Sequence, residues 1–267
     1  MENNNLIEII KKNPHAIHSI ENPTEEMKLM AVRKNGLLLE YIDNPTRQMQ
    51  ELALDNNPHA IKFINDPTED MMIKAIKGGW INLEYIQKPS EQVIRLALEQ
   101  AGWAIKYINS PSEELQLIAV RKNYDSIKFI KEPNARVQVE VVKAHYEALR
   151  LIKAPTHQAK LIAIENNEEA ITFIDDLDRD QILEYLKVNF LVIKYVKKEI
   201  TRVDLETVLK EVLSMEEVEE KYVRDFINYN TMDQFDMKPI EKIMLIRQYG
   251  SRKAKRIAVD EKLKIID

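Results

Sequence analysis

Few residues of this 267-residue chain have types and spacings suited to catalysis. His15 and His18 form an HxxH pair, which would set two imidazoles near one face of a short helix in the manner of a metal site. No carboxylate stands at ligand spacing to complete such a site. Glu25-Glu26, Glu69-Asp70 and Glu113-Glu114 are paired acids of the kind general acid–base chemistry uses. Each pair sits where the first turn of a helix is expected, and the helix dipole accounts for acids there. The chain has no P-loop, dinucleotide glycine fingerprint, HExxH motif or nucleophile elbow, and its five glycines leave little material for phosphate-cradling turns. With no cysteine it has no disulfide, thiolate metal site, iron–sulfur ligation or cysteine nucleophile. The chain is therefore expected to be non-enzymatic, with no cofactor and no metal.

Two rows of residues suit binding better than catalysis. Lys62, Lys106, Lys128, Arg150 and Lys194 recur at one position of a periodic pattern and would form a broken basic row. Cations near helix C-termini are equally the ordinary response to the helix dipole. Trp80, Tyr124 and Tyr146 recur at another position, with Trp103 displaced from it by one residue. Trp103 is expected one turn from Lys106, an aromatic–basic pairing suited to cation–π recognition, base stacking or a protein hot spot. A third candidate is a C-terminal basic patch, Arg252, Lys253, Lys255 and Arg256. From residue 241 onward eight Lys and Arg, including Lys242, Arg247, Lys262 and Lys264, outnumber Glu241, Asp260, Glu261 and Asp267.

These residues are positioned by an internal repeat. Pro23, Pro45, Pro67, Pro89, Pro111, Pro133 and Pro155 each stand 22 residues from the next, and the beat extends to Leu177 and Glu199. Three residues before each anchor stands Ile, or Val196 in the last unit. Six before it stands Ile17, Leu39, Ile61, Leu83, Ile105, Ile127, Leu149, Ile171 or Ile193. Four before it is an aromatic column, Tyr41, Phe63, Tyr85, Tyr107, Phe129, Phe173 and Tyr195, broken by Ser19 and Leu151. Apolar residues at i, i+1, i+3 and i+4 describe one buried face of a short helix. After the anchor, Met27, Met30 and Ala31, then Met49, Leu52 and Ala53, repeat the same spacing on a second helix.

The punctuation fits two helix starts per unit. Asn22-Pro23, Asn44-Pro45 and Asp66-Pro67 read as N-caps followed by proline in the first turn, and Asn13, Asn35, Asn57, Asn123, Asn167 and Asn189 read as caps of the second helix. Helices this short are not stable alone, so units must stack and bury their Ile and aromatic columns. The expected fold is an all-α solenoid of about nine 22-residue two-helix repeats over residues 1–204, followed by a helical C-terminal cap or small module over 205–267. LETVLKEVL, EEVEEKYVRDFI and KPIEKIMLIRQYG are its candidate helices, with Gly250 as a stop.

AVRKN at 31–35 and again at 119–123, followed by a short helix and NPT or SPS, resembles the short-period helical repeats of the DUF4116 type. The pattern is also similar to leucine-rich variant repeats, in which an α-helix alternates with a helix of tighter pitch. It differs from the latter in its 22-residue period and aromatic column. The resemblance implies the repeat architecture and no catalytic residue.

Hydrophobic content of 45% suffices for a substantial core, and the net charge of −5 argues against a generic polyanion binder. No basic leader precedes an apolar stretch and no apolar run is long enough to span a bilayer, so a cytoplasmic protein without a membrane partner is expected. The expected function is macromolecular interaction, with a protein as partner and regulation or inhibition as outcome. A role in phage–host conflict would rest on analogy. The alternative is a nucleic-acid-binding repeat protein that uses the basic and aromatic rows.

Overall fold

The computed structural model describes residues 2–230, 235 and 237–263. Among them every regular element is helical and no strand occurs, so the chain has an all-α, solenoid-like repeat fold. It divides into two compact units, residues 1–133 and 134–267.

In the first unit, ten-residue α-helices (Glu25–Lys34, Arg47–Asn56, Glu69–Gly78, Glu91–Gln100, Glu113–Lys122) alternate with six-residue 3₁₀ helices (Pro14–Ser19, Gly36–Tyr41, Pro58–Phe63, Trp80–Tyr85, Gly102–Tyr107, Tyr124–Phe129). The second unit continues the alternation with Ala135–Ala144, Tyr146–Leu151, His157–Asn166, Glu168–Phe173 and Arg179–Val188. There the 3₁₀ turn Phe190–Val192 runs on as a short α-helix, Ile193–Val196. The second helix of each earlier unit thus has the tighter pitch. Three residues per turn bring positions six and three before the anchor onto one line. That line forms the core, as with Leu39 and Ile42 or Ile61 and Ile64, all buried. Burying each such side chain contributes about 1.5–3 kcal/mol.

The tighter pitch overturns the expectation of a buried aromatic column. Position −4 lies a third of a turn from the buried line, and its rings are exposed or half-exposed: Tyr41 is 52% exposed, with Tyr85 and Phe129 also exposed. The remaining core comes from the α-helices. Met27, Ala31 and Val32, with their equivalents Met49, Ala53 and Leu54, or Val93, Ala97 and Leu98, are all buried.

The caps also differ from expectation. The α-helices start after Thr24, Thr46, Ser90, Ser112 and Thr156, whose hydroxyls accept from the backbone N–H three residues on. The anchor proline precedes this cap and lies outside the helix. Asn44 and Asp66 are not caps but turn residues, with φ of 48° and 57°, and Ser110 and Asp176 adopt the same left-handed conformation. Asn and Asp tolerate that region better than other side chains do. Five of the six caps expected for the second helix stand: Asn13, Asn35, Asn57, Asn167 and Asn189 accept from the N–H two residues on, whereas the Asn123 side chain makes no cap bond and instead accepts from Gly102 N–H of the preceding repeat at 2.9 Å.

Neighbouring repeats are joined by a polar ladder. The Asn56 side chain accepts from Gly36 N–H at 2.8 Å and donates to the Arg33 carbonyl at 3.2 Å. Gln100 donates to Ile76 O at 2.6 Å, Asn166 to Val142 O at 3.1 Å, and Asn189 to Ile164 O at 2.9 Å. Each amide covers carbonyls at the end of the preceding α-helix, which have no partner within that helix. In the second unit the last rung is different: the Tyr222 hydroxyl donates to Leu186 O at 3.0 Å.

That tyrosine belongs to the helix Glu220–Asn228, which follows the repeats together with the α-helices Arg202–Ser214, Pro239–Tyr249 and Arg252–Leu263. The expected boundary between residues 204 and 205 falls inside the first of these. Thr201 and Asp204 form a capping box that starts that helix earlier than the loss of periodicity suggests. Gly250 ends the third helix, as expected. Among the described residues no helix is long and apolar enough to cross a membrane.

Candidate functional site

The 3₁₀ helices of the first unit carry Lys62, Trp80, Trp103, Lys106, Tyr124 and Lys128 of the residues singled out from the sequence. Consecutive 3₁₀ helices pack against one another, so the aromatic of one repeat leans on the repeat before it. Tyr41 packs on His18 at 5.4 Å between ring centroids, Tyr85 on His59 edge-to-face at 5.1 Å, and Tyr107 on Trp80 at 6.3 Å. Buried Asn82 holds the His59 ring, its carbonyl oxygen 2.9 Å from Nδ1 and its amide donating to Ala75 O at 2.8 Å. The lysines lie over these rings. Lys62 Nζ is 4.6 Å from the Phe63 centroid, Lys106 is 4.5 Å from Tyr107 and 5.5 Å from Trp80, and Lys128 is 5.1 Å from Phe129. Such contacts are worth about 0.5–1 kcal/mol each on an exposed surface.

The expected pairing of Trp103 with Lys106 is replaced by a different one. Trp103 Nε1 donates to Asp125 Oδ1 at 2.7 Å, and Lys128 Nζ donates to the other oxygen at 3.0 Å. Burial acts to raise the Asp125 pKa, but the bonds from Trp103 and Lys128 outweigh it and hold the carboxyl below its ordinary range. Lys128 is thereby neutralised. Glu40 and Glu84 occupy the same repeat position as Lys62 and Lys106, so the basic row in this unit is interrupted. Trp80 and Tyr124 are half-buried at the starts of their 3₁₀ helices.

In the second unit, half-buried Tyr146 stacks on Phe173 with centroids 6.3 Å apart and an interplanar angle of 14°, and its hydroxyl donates to Glu169 at 3.0 Å. Lys194 forms an ion pair with Glu168 at 2.6 Å, whereas Arg150 is exposed. In the C-terminal patch Lys253 faces Glu217 at 3.6 Å, and Arg252, Lys255 and Arg256 are exposed. Lys264 and Asp267 lie outside the described residues.

Reading the sequence alone missed two clefts in the first unit. One, of about 450 Å³, is lined by Lys106, Asn109, Ser110, Phe129, Lys131 and their neighbours. The other, of about 230 Å³, is lined by Lys62, Asn65, Asp66, Tyr85, Lys88 and theirs. They are equivalents two repeats apart. Each has an exposed aromatic wall, an Asn with no hydrogen bond to another described residue, and two lysines with no acidic partner among the described residues. The signal was in the sequence: Lys62 and Lys106, Asn65 and Asn109, Tyr85 and Phe129 each recur at a spacing of 44 residues.

Several of the other candidates have local partners. His15 lies 3.3 Å from the Asn35 amide and His18 beside Ser19, and no group of three His, Asp or Glu side chains suited to a metal ion occurs among the described residues. Glu69 accepts from Ser90 at 2.5 Å, and Glu114 pairs with Arg95 at 2.9 Å. Comparison with protein-family models, curated proteins and solved structures finds no match.

Proposed function

We propose that this chain is a non-enzymatic interaction protein that holds an extended segment of a partner protein along the 3₁₀ face of its first unit and so regulates or inhibits that partner. The pair of equivalent clefts carries this reading. Each offers a ring for an apolar side chain, a free amide for a peptide carbonyl and lysines for an acidic group. Repeated subsites along stacked helices suit a ligand that is itself extended.

A nucleic-acid ligand is less well served. A phosphate backbone needs continuous positive charge, whereas Glu40 and Glu84 interrupt the row and Asp125 neutralises Lys128. Tagged full-length chain, incubated with cell lysate with and without nuclease, tests the proposal against a Tyr85→Ala/Phe129→Ala variant. These rings are exposed, so their loss leaves the core intact. A nuclease-resistant protein partner that the variant no longer retains is the expected result. Retention by the variant would reject the site. Recovery only without nuclease, with affinity falling steeply as salt rises, would favour nucleic acid instead.

A further inference from the structure

In the second unit, the helices Pro239–Tyr249 and Arg252–Leu263 form a hairpin around Gly250 and Ser251. Ser251 fixes its bend: its N–H donates to Leu213 O at 2.8 Å, and its hydroxyl caps the second helix by accepting from Ala254 N–H at 3.2 Å. Between the two helices runs a groove of about 300 Å³ lined by Ile243, Ile246, Ala258 and Val259, with Arg247 and Lys255 on its rim. The apolar surface continues beyond it, with Ile240 57%, Met244 62% and Val259 59% exposed. Ile240, Ile243, Met244 and Arg247 have the i, i+3, i+4, i+7 spacing of a helix face, and this face is turned away from the core. An apolar stripe of that kind at a surface marks an interaction site.

We propose that this groove docks an acidic amphipathic α-helix of a partner protein. The occupant's charge follows from the rim. Arg247 and Lys255 border the groove, Arg252 and Arg256 extend the positive surface, and none of the four has an acidic partner among the described residues. Of the carboxylates on the two helices, Glu241 is held by Arg202 at 3.0 Å and Glu261 by Arg224 and Asn228, which leaves exposed Asp260. The occupant's form follows from the walls. A trough between two helices offers no free backbone edge to an extended strand but accepts the side-chain ridge of a third helix. A second copy of this chain suits the site poorly, because two-fold pairing would set Arg247 and Lys255 against their own equivalents.

The test uses full-length protein and two fluorescein-labelled synthetic helical peptides with the same Leu and Ile stripe, one flanked by Glu and the other by Lys, read by fluorescence anisotropy. The Glu peptide is expected to bind at least about tenfold more tightly than the Lys peptide. Met244→Glu and Val259→Glu, at exposed positions, should weaken it about tenfold or more with thermal unfolding unchanged. Arg247→Glu/Lys255→Glu should reverse the preference between the peptides. Equal binding of both peptides, no binding of either, or binding indifferent to Val259→Glu would overturn the proposal. So would a concentration-dependent dimer in sedimentation that Val259→Glu abolishes, since a second copy would then be the occupant.

Discussion

Trp103 and Asp125 stand at the same position of successive repeats, and the indole of the first donates to the carboxylate of the second at 2.7 Å. The bond couples an exposed aromatic to the charge state of its neighbour. Asp125 has a depressed pKa in the fold, so its contribution to stability is present above the ordinary aspartate value of about 3.9 and is lost as pH falls through the lower folded value. In a Trp80→Phe protein, where Trp103 is the remaining tryptophan, its emission should titrate with a midpoint below about 3.9. Asp125→Asn should abolish the transition. A midpoint above the ordinary value would show that burial outweighs the two hydrogen bonds.

Gly102 and Gly79 make opposite predictions. A Cβ on Gly102 would lie 2.2 Å from Ala119 O, a backbone atom that cannot swing aside, whereas one on Gly79 would meet nothing within 4 Å. Gly102→Ala should therefore cost roughly 1–3 kcal/mol in urea unfolding. Gly79→Ala should stay within about 0.5 kcal/mol of the parent.

Asn56 joins two repeats with both ends of its amide. Asn56→Ala strands the Gly36 N–H and removes a donor from the Arg33 carbonyl, at a cost of about 1–2 kcal/mol. Hydrogen exchange should quicken at Gly36 before it does in the distant Glu91–Gln100 helix. Uniform acceleration throughout the first unit would mean that the repeats unfold only together.

Acid should act on the second unit through Asp204. The Arg179 hydrogen bond and those from Thr201 bring its pKa down to about 2 against opposing burial. Its stabilisation is present above about pH 4 and is lost as pH falls towards 2. Arg179→Met should bring the folded pKa closer to its ordinary value, so the variant starts less stable at pH 5 and loses less between pH 4 and 2 in urea titrations. Thr201→Ala should cost about 1 kcal/mol as a lost cap.

The repeat, its buried Ile line and the caps of its second helix were legible because they are written at fixed spacing in nearly every unit. The pitch of that helix was not. An apolar run such as Leu38, Leu39, Tyr41 and Ile42 fits a one-sided α-helix and a 3₁₀ turn equally well, and only the 3₁₀ turn leaves the tyrosine outside. The cap was misplaced because Asn44-Pro45-Thr46 contains two residues able to cap, and the left-handed turn at Asn44 decides for Thr46. The partners of Trp103 and Lys194 depend on contacts across repeats, which spacing within one helix does not encode. The hairpin groove lay hidden for a different reason: a stripe of Ile240, Ile243 and Met244 reads as core until the neighbours that fail to cover it are known.

The polar ladder runs one way. Every amide on it closes the helix before it, so where a rung occurs the end of one repeat is covered by its successor. In the second unit the last of these obligations passes to a phenol, Tyr222, on a helix outside the repeat pattern. Loss of Tyr222 would leave the Leu186 carbonyl without that cover. A ladder of this direction needs a stop at its trailing side, and Tyr222 supplies it.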